Sequence, residues 1–218
     1  MDKLARDRDL ADSTLGNLKI YLMESRQDYV NALRLILQST ALRDSVFDWI
    51  NRTFEELQTQ RKLFDELAAE VKKCMQEILK IKVDGGVALV DRWFDAQYQE
   101  QLITVELHTY KEVQFKYVSN FIELNKETIR QTIIDSQLDA SKKAEAARYL
   151  KYLVLHVKRL CKFAPDQVAK VVGRTYYPEE ECIKICEQKR NQRGVAVLLW
   201  RRGLFLQAIE TYLEILRT

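Results

Sequence analysis

Apolar residues recur along the chain every three to four positions, the spacing of one face of an α-helix. Two consecutive stripes show the pattern, one within residues 42–57 around Trp49 and the next within residues 63–81. A period of 3.6 residues places such positions on one side, so each stripe predicts an amphipathic helix. We expect the second helix to run longer than average and to break at Asp84-Gly85-Gly86, because no breaker precedes that triplet.

The second half of the chain continues with shorter elements and then one long one. Two short helices are predicted within residues 87–109, followed by a third whose stripe lies within 113–124. A polar interval comes next, in which Asp139 or Ser141 is a candidate N-cap for a long helix over the stripe within 150–160.

The two prolines are predicted to mark helix starts. Proline in the first helical turn gives up only a donor that would be unpaired anyway, and Pro165 and Pro178 are both followed by acids, which complement the helix dipole. With two prolines and six glycines in 218 residues, turn residues are too few for a β-sandwich or barrel. The composition therefore favours an all-α protein.

An internal repeat links the two ends of the chain. Residues 20–37 align with residues 196–213, with similar residues at positions that pack two helices together. The paired positions are Tyr29 with Phe205, Ala32 with Ala208, Leu33 with Ile209, Leu37 with Leu213, and, at the turn, Gln27 with Gly203.

The second copy has the residue offsets of a tetratricopeptide-like hairpin. Gly203 would reverse the chain, Ala208 would let two helices cross closely, and Tyr212 would fill the next groove. A weaker internal similarity relates residues 79–90 to residues 160–171. Because the two similarities have no common repeat length, we expect an irregular array of hairpins.

The fold expectation is a right-handed α-solenoid of antiparallel helix hairpins over residues 1–218, with a soft boundary near 135–141. Because apolar residues continue to the last positions, we expect the chain to be a segment of a longer protein. The positions predicted to pack or shape the hairpins are Ala32, Trp49, Pro178, Gly203, Ala208 and Tyr212.

One stretch resembles a known family. The segment RLCKFAPDQVAKVV, followed by YYPEEECIKICEQKRNQRGVAVLLWRRGLFLQAIETYLEIL, is similar to the clathrin-heavy-chain-type repeat of the large subunits of the endolysosomal tethering complexes CORVET and HOPS. The likeness is nearest to the CORVET-specific subunit. The matching positions are Tyr177, Pro178, Glu181, Ile185, Cys186, Ala196, Leu199, Gly203 and Ala208.

The resemblance implies a non-catalytic scaffold in vesicle tethering. Members of that family carry a β-propeller before the helical rod and a RING finger after it, and this chain would be the rod. The implied partners are other tethering subunits and, through the full assembly, a small endosomal GTPase. The implied location is the cytoplasm, peripheral to endosome or vacuole and lysosome membranes.

The net charge of the chain indicates no further class of binding partner. A net charge of +3, from 35 basic and 32 acidic residues, gives no strong field for nucleic acid or an anionic membrane. The charged start of the chain is unlike a signal peptide, and the longest apolar run is too short for a membrane span, so a soluble intracellular chain is expected. We expect membrane association only through the complex, no direct nucleic-acid binding and no small-molecule substrate.

No catalytic, cofactor or metal residues are predicted. Cys182 and Cys186 share one helix face, but zinc needs about four ligands, and a buried thiol pair is the simpler interpretation. His156 lies in an apolar stripe without a Ser or Cys at motif spacing, which is typical of a structural histidine. Gly85-Gly86 lacks the Lys-Ser/Thr ending of a phosphate-binding loop.

A basic group near the end of the chain is the candidate for a charged contact. Acids lie close to it in sequence, so a solvated face is its simpler interpretation. Its members are Lys189, Arg190, Arg193, Arg201 and Arg202.

Three alternative functions belong to other classes. A vesicle-coat or nuclear-pore scaffold would have the same repeat. An RNA-binding helical repeat would need a strict period, and a helical enzyme would need a polar pocket with perturbed side chains.

Overall fold

A computed structural model describes the backbone of residues 2–217 and the side chains of residues 13–217. Within this part of the chain every regular element is helical, so the all-α prediction is confirmed. The α-helices are α1 (Asp2–Ser25), α2 (Tyr29–Gln38), α3 (Val46–Leu57), α4 (Arg61–Ile81), α5 (Val83–Trp93), α6 (Ala96–Gln101), α7 (Lys111–Leu124), α8 (Lys126–Asp135), α9 (Lys143–Phe163), α10 (Val168–Val172), α11 (Glu179–Gln188), α12 (Gln192–Arg201) and α13 (Phe205–Arg217).

The helices form two compact units, residues 1–99 and residues 100–218. The interval 135–141, which the sequence marked as a soft boundary, connects α8 to α9 inside the second unit.

The first unit is built on α2, α3 and α4, whose apolar stripes face one another. α2 contacts both α3 and α4, and Ile50, Phe54 and Leu67 are fully buried between them. The ring of Phe54 lies 4.8 Å from that of Phe64 and 5.2 Å from that of Trp93, centroid to centroid. Burial of these stripes is the main stabilising term for the unit.

The predicted break at the glycine pair is wrong by two residues. α5 begins at Val83, so Gly85 and Gly86 lie in its first turns, and the chain breaks at Lys82, whose φ and ψ are −154° and 114°. The glycines permit close packing instead, because a Cβ at Gly85 would lie 2.8 Å from the Phe47 ring. The length expected for the preceding helix is confirmed, since α4 has 21 residues.

The second unit is centred on α9, which contacts α7, α8, α10 and α11. Asp139 caps the short 3-10 turn Ala140–Lys142 that leads into α9, by accepting a hydrogen bond from the Ser141 backbone N–H at 2.8 Å. The N-cap of α9 itself is Lys142, which makes no side-chain capping bond, so the predicted cap lies one short turn before the helix. α9 buries Tyr152, Leu153 and Val157 against its neighbours.

A single π-helical turn, Leu102–Glu106, interrupts the helix before α7. The Gln114 amide donates to the Ile103 carbonyl of this turn at 2.6 Å and accepts from the Arg159 guanidinium at 2.7 Å. Burial lowers the pKa of Arg159. The network satisfies backbone that the wider turn leaves without its usual partner.

Candidate protein-interaction surfaces

The turn between α12 and α13 is a Schellman motif centred on Gly203. The Gly203 N–H donates to the Trp200 carbonyl at 3.0 Å, and the Leu204 N–H donates to the Leu199 carbonyl at 3.0 Å. Gly203 has a φ of 77°, and no atom of the described residues lies within 4 Å of a Cβ added there. The glycine is therefore needed for its backbone conformation and not for space.

The same motif joins α1 to α2. Gln27 has a φ of 60°, its N–H donates to the Glu24 carbonyl at 2.9 Å, and the Asp28 N–H donates to the Met23 carbonyl at 2.9 Å. Asp28 is also the N-cap of α2, since its carboxylate accepts from the Asn31 N–H. Both turn positions of the internal alignment thus have the left-handed conformation.

A third Schellman motif, between α11 and α12, was not predicted from the sequence. Arg190 has a φ of 56°, its N–H donates to the Glu187 carbonyl at 3.0 Å, and the Asn191 N–H donates to the Cys186 carbonyl at 2.8 Å. Asn191 then caps α12 by accepting from the Gly194 N–H at 2.9 Å. An arginine at the left-handed position gives no glycine signal in the sequence, although the Asn at the following N-cap does.

The predicted packing residues occupy different environments. Ala32 and Ala208 are fully buried, on α2 and α13 respectively. The buried indole of Trp49 donates to the Glu24 carboxylate at 2.7 Å. Tyr212 is 40% exposed, so within the described chain it fills no groove. Pro178 is the N-cap of α11, one position before the first turn in which the sequence placed it.

One side of α13 presents apolar side chains to solvent. Ile209 and Leu213 are each 46% exposed, whereas their aligned counterparts on α2, Leu33 and Leu37, are 0% and 5% exposed. α3 and α4 lie against α2, while α13 packs on α12 through Ala208. We name the exposed set the α13 face: Phe205, Ile209, Tyr212, Leu213 and Leu216.

The five basic residues do not form one patch. Arg201 turns inward: its guanidinium donates to the Val172 carbonyl at 2.6 Å and to the Thr175 carbonyl at 2.9 Å, and it pairs with Glu179 at 3.2 Å. With its side chain only 14% exposed, Arg201 fixes the loop before α11. Arg202 is more exposed and pairs with Glu180 at 3.5 Å.

The other three basic residues, Lys189, Arg190 and Arg193, are exposed around the turn before α12. A helix rises about 1.5 Å per residue, so Arg193 and Arg201 are separated by about 12 Å along α12. The acids at the start of α11 therefore neutralise two members of the predicted group and leave the remaining three at the opposite end of α12.

A half-open groove of about 450 Å³ lies in the second unit, where α7, α9 and α10 meet. Its walls include the apolar side chains of Phe115, Leu160 and Val171. Ser119 and His156 lie in it beneath a charged rim. The rim consists of Lys116, Lys170, Arg174 and Glu123.

His156 is held between two hydroxyl groups. Its Nδ1 lies 2.8 Å from the Tyr177 hydroxyl and its Nε2 lies 3.0 Å from the Ser119 hydroxyl. Burial, assisted by the positive charge of Arg174, lowers the pKa of His156 to about 4. The imidazole is therefore neutral at pH 7, and it carries one N–H.

The buried phenol decides which nitrogen carries that proton. Among the described residues His156 is the only hydrogen-bond partner of the Tyr177 hydroxyl, so Tyr177 must donate to Nδ1 or leave a buried O–H unpaired, which costs about 1–3 kcal/mol. Nδ1 is then the acceptor, and Nε2–H donates to Ser119. In this tautomer His156 cannot accept the Ser119 proton, so the pair is not arranged as a nucleophile and its base.

The tautomer also frees the Ser119 hydroxyl proton. Among the described residues His156 is the only hydrogen-bond partner of the Ser119 hydroxyl, which makes no bond to the backbone carbonyl one helical turn earlier. Its O–H therefore remains a donor that can serve a ligand in the groove. The sequence could not show this arrangement, because Ser119, His156 and Tyr177 lie on three separate elements.

Three cysteine thiols form a second cluster, of which the sequence predicted two members, Cys182 and Cys186. Cys161 on α9 lies close to Cys186 on α11, and this proximity lowers the pKa of Cys161 and raises that of Cys186. Burial raises the pKa of Cys182 to about 12. Among the described residues no group of three or more His, Cys, Asp or Glu side chains is placed to hold a metal ion.

No protein-family model, no curated protein and no solved structure matches the chain. Across the described residues, no helix combines the length and apolarity that a bilayer span requires.

Proposed function

We propose that this chain is a non-catalytic scaffold that binds other proteins through the apolar sides of its helices. The observation that carries the proposal is the difference between two aligned helices. Leu33 and Leu37 of α2 are buried by α3 and α4, whereas Ile209 and Leu213 of α13 are each 46% exposed. The occupant that fits the α13 face is accordingly a pair of amphipathic helices, as α3 and α4 are for α2.

The larger assembly in this proposal is a right-handed α-solenoid of antiparallel hairpins. Three Schellman turns support it, since each joins consecutive helices through the same three-residue connection. In a solenoid each hairpin buries an apolar side against the next one, which is what the α13 face lacks.

The resemblance to the CORVET and HOPS subunits supplies the proposed setting. The chain would act as a rod in a tethering complex at endosome or vacuole membranes, with other tethering subunits as its direct partners and a small endosomal GTPase bound through the assembly. Membrane association would be peripheral and would depend on the complex.

The experiment measures binding of the purified chain to purified subunits of the CORVET complex. We expect one of them to bind, and Ile209→Asp to weaken that binding by more than tenfold, because a carboxylate would be buried in an apolar contact. Gln207→Asp is the matched control, since Gln207 is exposed on the same helix but outside the α13 face.

Equal loss of binding in both variants would show that α13 does not present the contact proposed. Failure of every tethering subunit to bind, together with binding of purified coat or nuclear-pore scaffold subunits, would move the chain to that other class of assembly. Circular dichroism spectra of the two variants serve to verify that α13 remains helical.

A further inference from the structure

The groove between α7, α9 and α10 has the chemistry of an anion site, and it does not involve the α13 face. Its inner part contains the Ser119 hydroxyl, which the Tyr177–His156 relay leaves free to donate. A relay of buried hydrogen bonds fixes the orientation of that hydroxyl, so little ordering is needed when a ligand binds.

The rim adds uncompensated positive charge. The Lys170 ammonium has no ion pair or hydrogen bond with any described residue. Arg174 uses one terminal nitrogen for both Glu123, at 3.2 Å, and the Tyr176 hydroxyl, at 3.1 Å, which leaves its other N–H groups available. Lys116 pairs with Glu112 at 2.9 Å, and Glu123 is shared between Arg174 and Lys126, the latter at 2.7 Å. The cations of the lining and their ion-pair partners are thus four cations and two carboxylates, a net charge of +2.

We propose that this groove binds a phosphate monoester carried on an apolar or aromatic body. A phosphate monoester has a charge of about −1.5 to −2 at pH 7, which matches the lining, whereas a single carboxylate would leave one cation unpaired. Ser119, Lys170 and Arg174 offer the hydroxyl, ammonium and guanidinium donors that phosphate oxygens accept.

The size of the groove determines the second part of the ligand. A phosphate group alone would fill a small part of about 450 Å³. The remaining wall is formed by Phe115, Leu160 and Val171, so the group that carries the phosphate gains apolar burial there. Phenyl phosphate is therefore the first probe, and inorganic phosphate should bind more weakly.

The experiment is a calorimetric titration of the full chain with phenyl phosphate. We expect Ser119→Ala to weaken binding about tenfold, because a hydrogen bond to a charged acceptor is lost. Lys170→Gln should weaken it by about two- to fivefold, as for an exposed charge pair, and added salt should weaken it further. Lys184→Gln, an exposed lysine on α11 outside the groove lining, should leave the affinity unchanged.

Absence of binding at millimolar phenyl phosphate would overturn the proposal, and so would binding that survives both Ser119→Ala and Lys170→Gln. Lys170 is exposed, so its variant tests the site even where Ser119→Ala disturbs folding. Vesicles of phosphatidylcholine with and without phosphatidic acid then identify the source. Lys170-dependent binding to the phosphatidic acid vesicles would assign the site to a lipid headgroup, and binding of phenyl phosphate alone would assign it to a small or side-chain phosphate.

Discussion

The left-handed turn positions allow a test in which chemically identical substitutions have opposite effects. Gly203→Ala adds a Cβ where φ is 77° and where no atom of the described part of the chain lies within 4 Å, so the penalty is conformational. That penalty is about 1–2 kcal/mol, and it is partly offset because alanine has less entropy to lose on folding. We expect the free energy of unfolding to fall by about 1 kcal/mol.

Gly173→Ala in the same unit should have the opposite sign. Gly173 has a right-handed φ of −63°, and an added Cβ would meet Ala169 and Lys170 backbone oxygens at 3.4 and 3.5 Å, ordinary contact distances. The remaining effect is the lower conformational entropy of the unfolded chain with alanine, so the free energy of unfolding should rise by about 0.4–1 kcal/mol.

Urea unfolding of both variants, followed by far-UV circular dichroism, measures the two changes. A gain in Gly203→Ala would refute the assignment of Gly203 to a strained turn, and a loss in Gly173→Ala would refute the argument that only entropy acts there. Arg190→Gly extends the test: it should stabilise the protein by about 0.5–1 kcal/mol, because glycine adopts a φ of 56° without steric cost.

Three further predictions follow from burial and proximity. Ala208→Leu should lower the free energy of unfolding by about 1–3 kcal/mol, since Ala208 is fully buried in α13, and a measured loss near zero would argue against tight packing of α12 on α13. His156 has its pKa lowered from 6.5 to about 4, so the unfolded chain binds more protons between those values. Stability should therefore decline by about 2–3 kcal/mol as pH falls through this range, and His156→Gln should remove that dependence in urea unfolding measured from pH 7 to pH 4. Hydrogen peroxide should link Cys161 to Cys186 in preference to Cys74, because the first two thiols lie close to each other. A mass spectrum of the non-reduced digest without that linked peptide would contradict the proximity.

Helical periodicity was sufficient to predict the long elements but not the short ones. α4 and α9 follow from stripes that continue for several turns, and Asp139 as the cap of the short turn before α9 follows from capping chemistry. The π-helical turn at Leu102–Glu106 has no such pattern in the sequence. It depends on a hydrogen bond from the side chain of Gln114, a residue of the next helix, to the Ile103 carbonyl.

The candidate sites were predictable only where their members are close in sequence. Cys182 and Cys186 share a helix face and were recognised together, but Cys161 comes from another helix. The relay from Tyr177 through His156 to Ser119 depends on tertiary packing, so spacing along the chain carries no trace of it. Arg201 shows the reverse case: it is adjacent to Arg202 in sequence, yet it is used internally to hold the loop that precedes α11.

The Schellman turns have a consequence for where the chain tolerates changes in length. In the turns after α1 and α11 the residue that closes one helix, Asp28 or Asn191, is already the N-cap of the next. One inserted residue would rotate the following helix by about 100° and turn its apolar stripe away from its neighbour. Insertions and deletions should therefore accumulate in the polar interval before Asp139 and be excluded from these two connections.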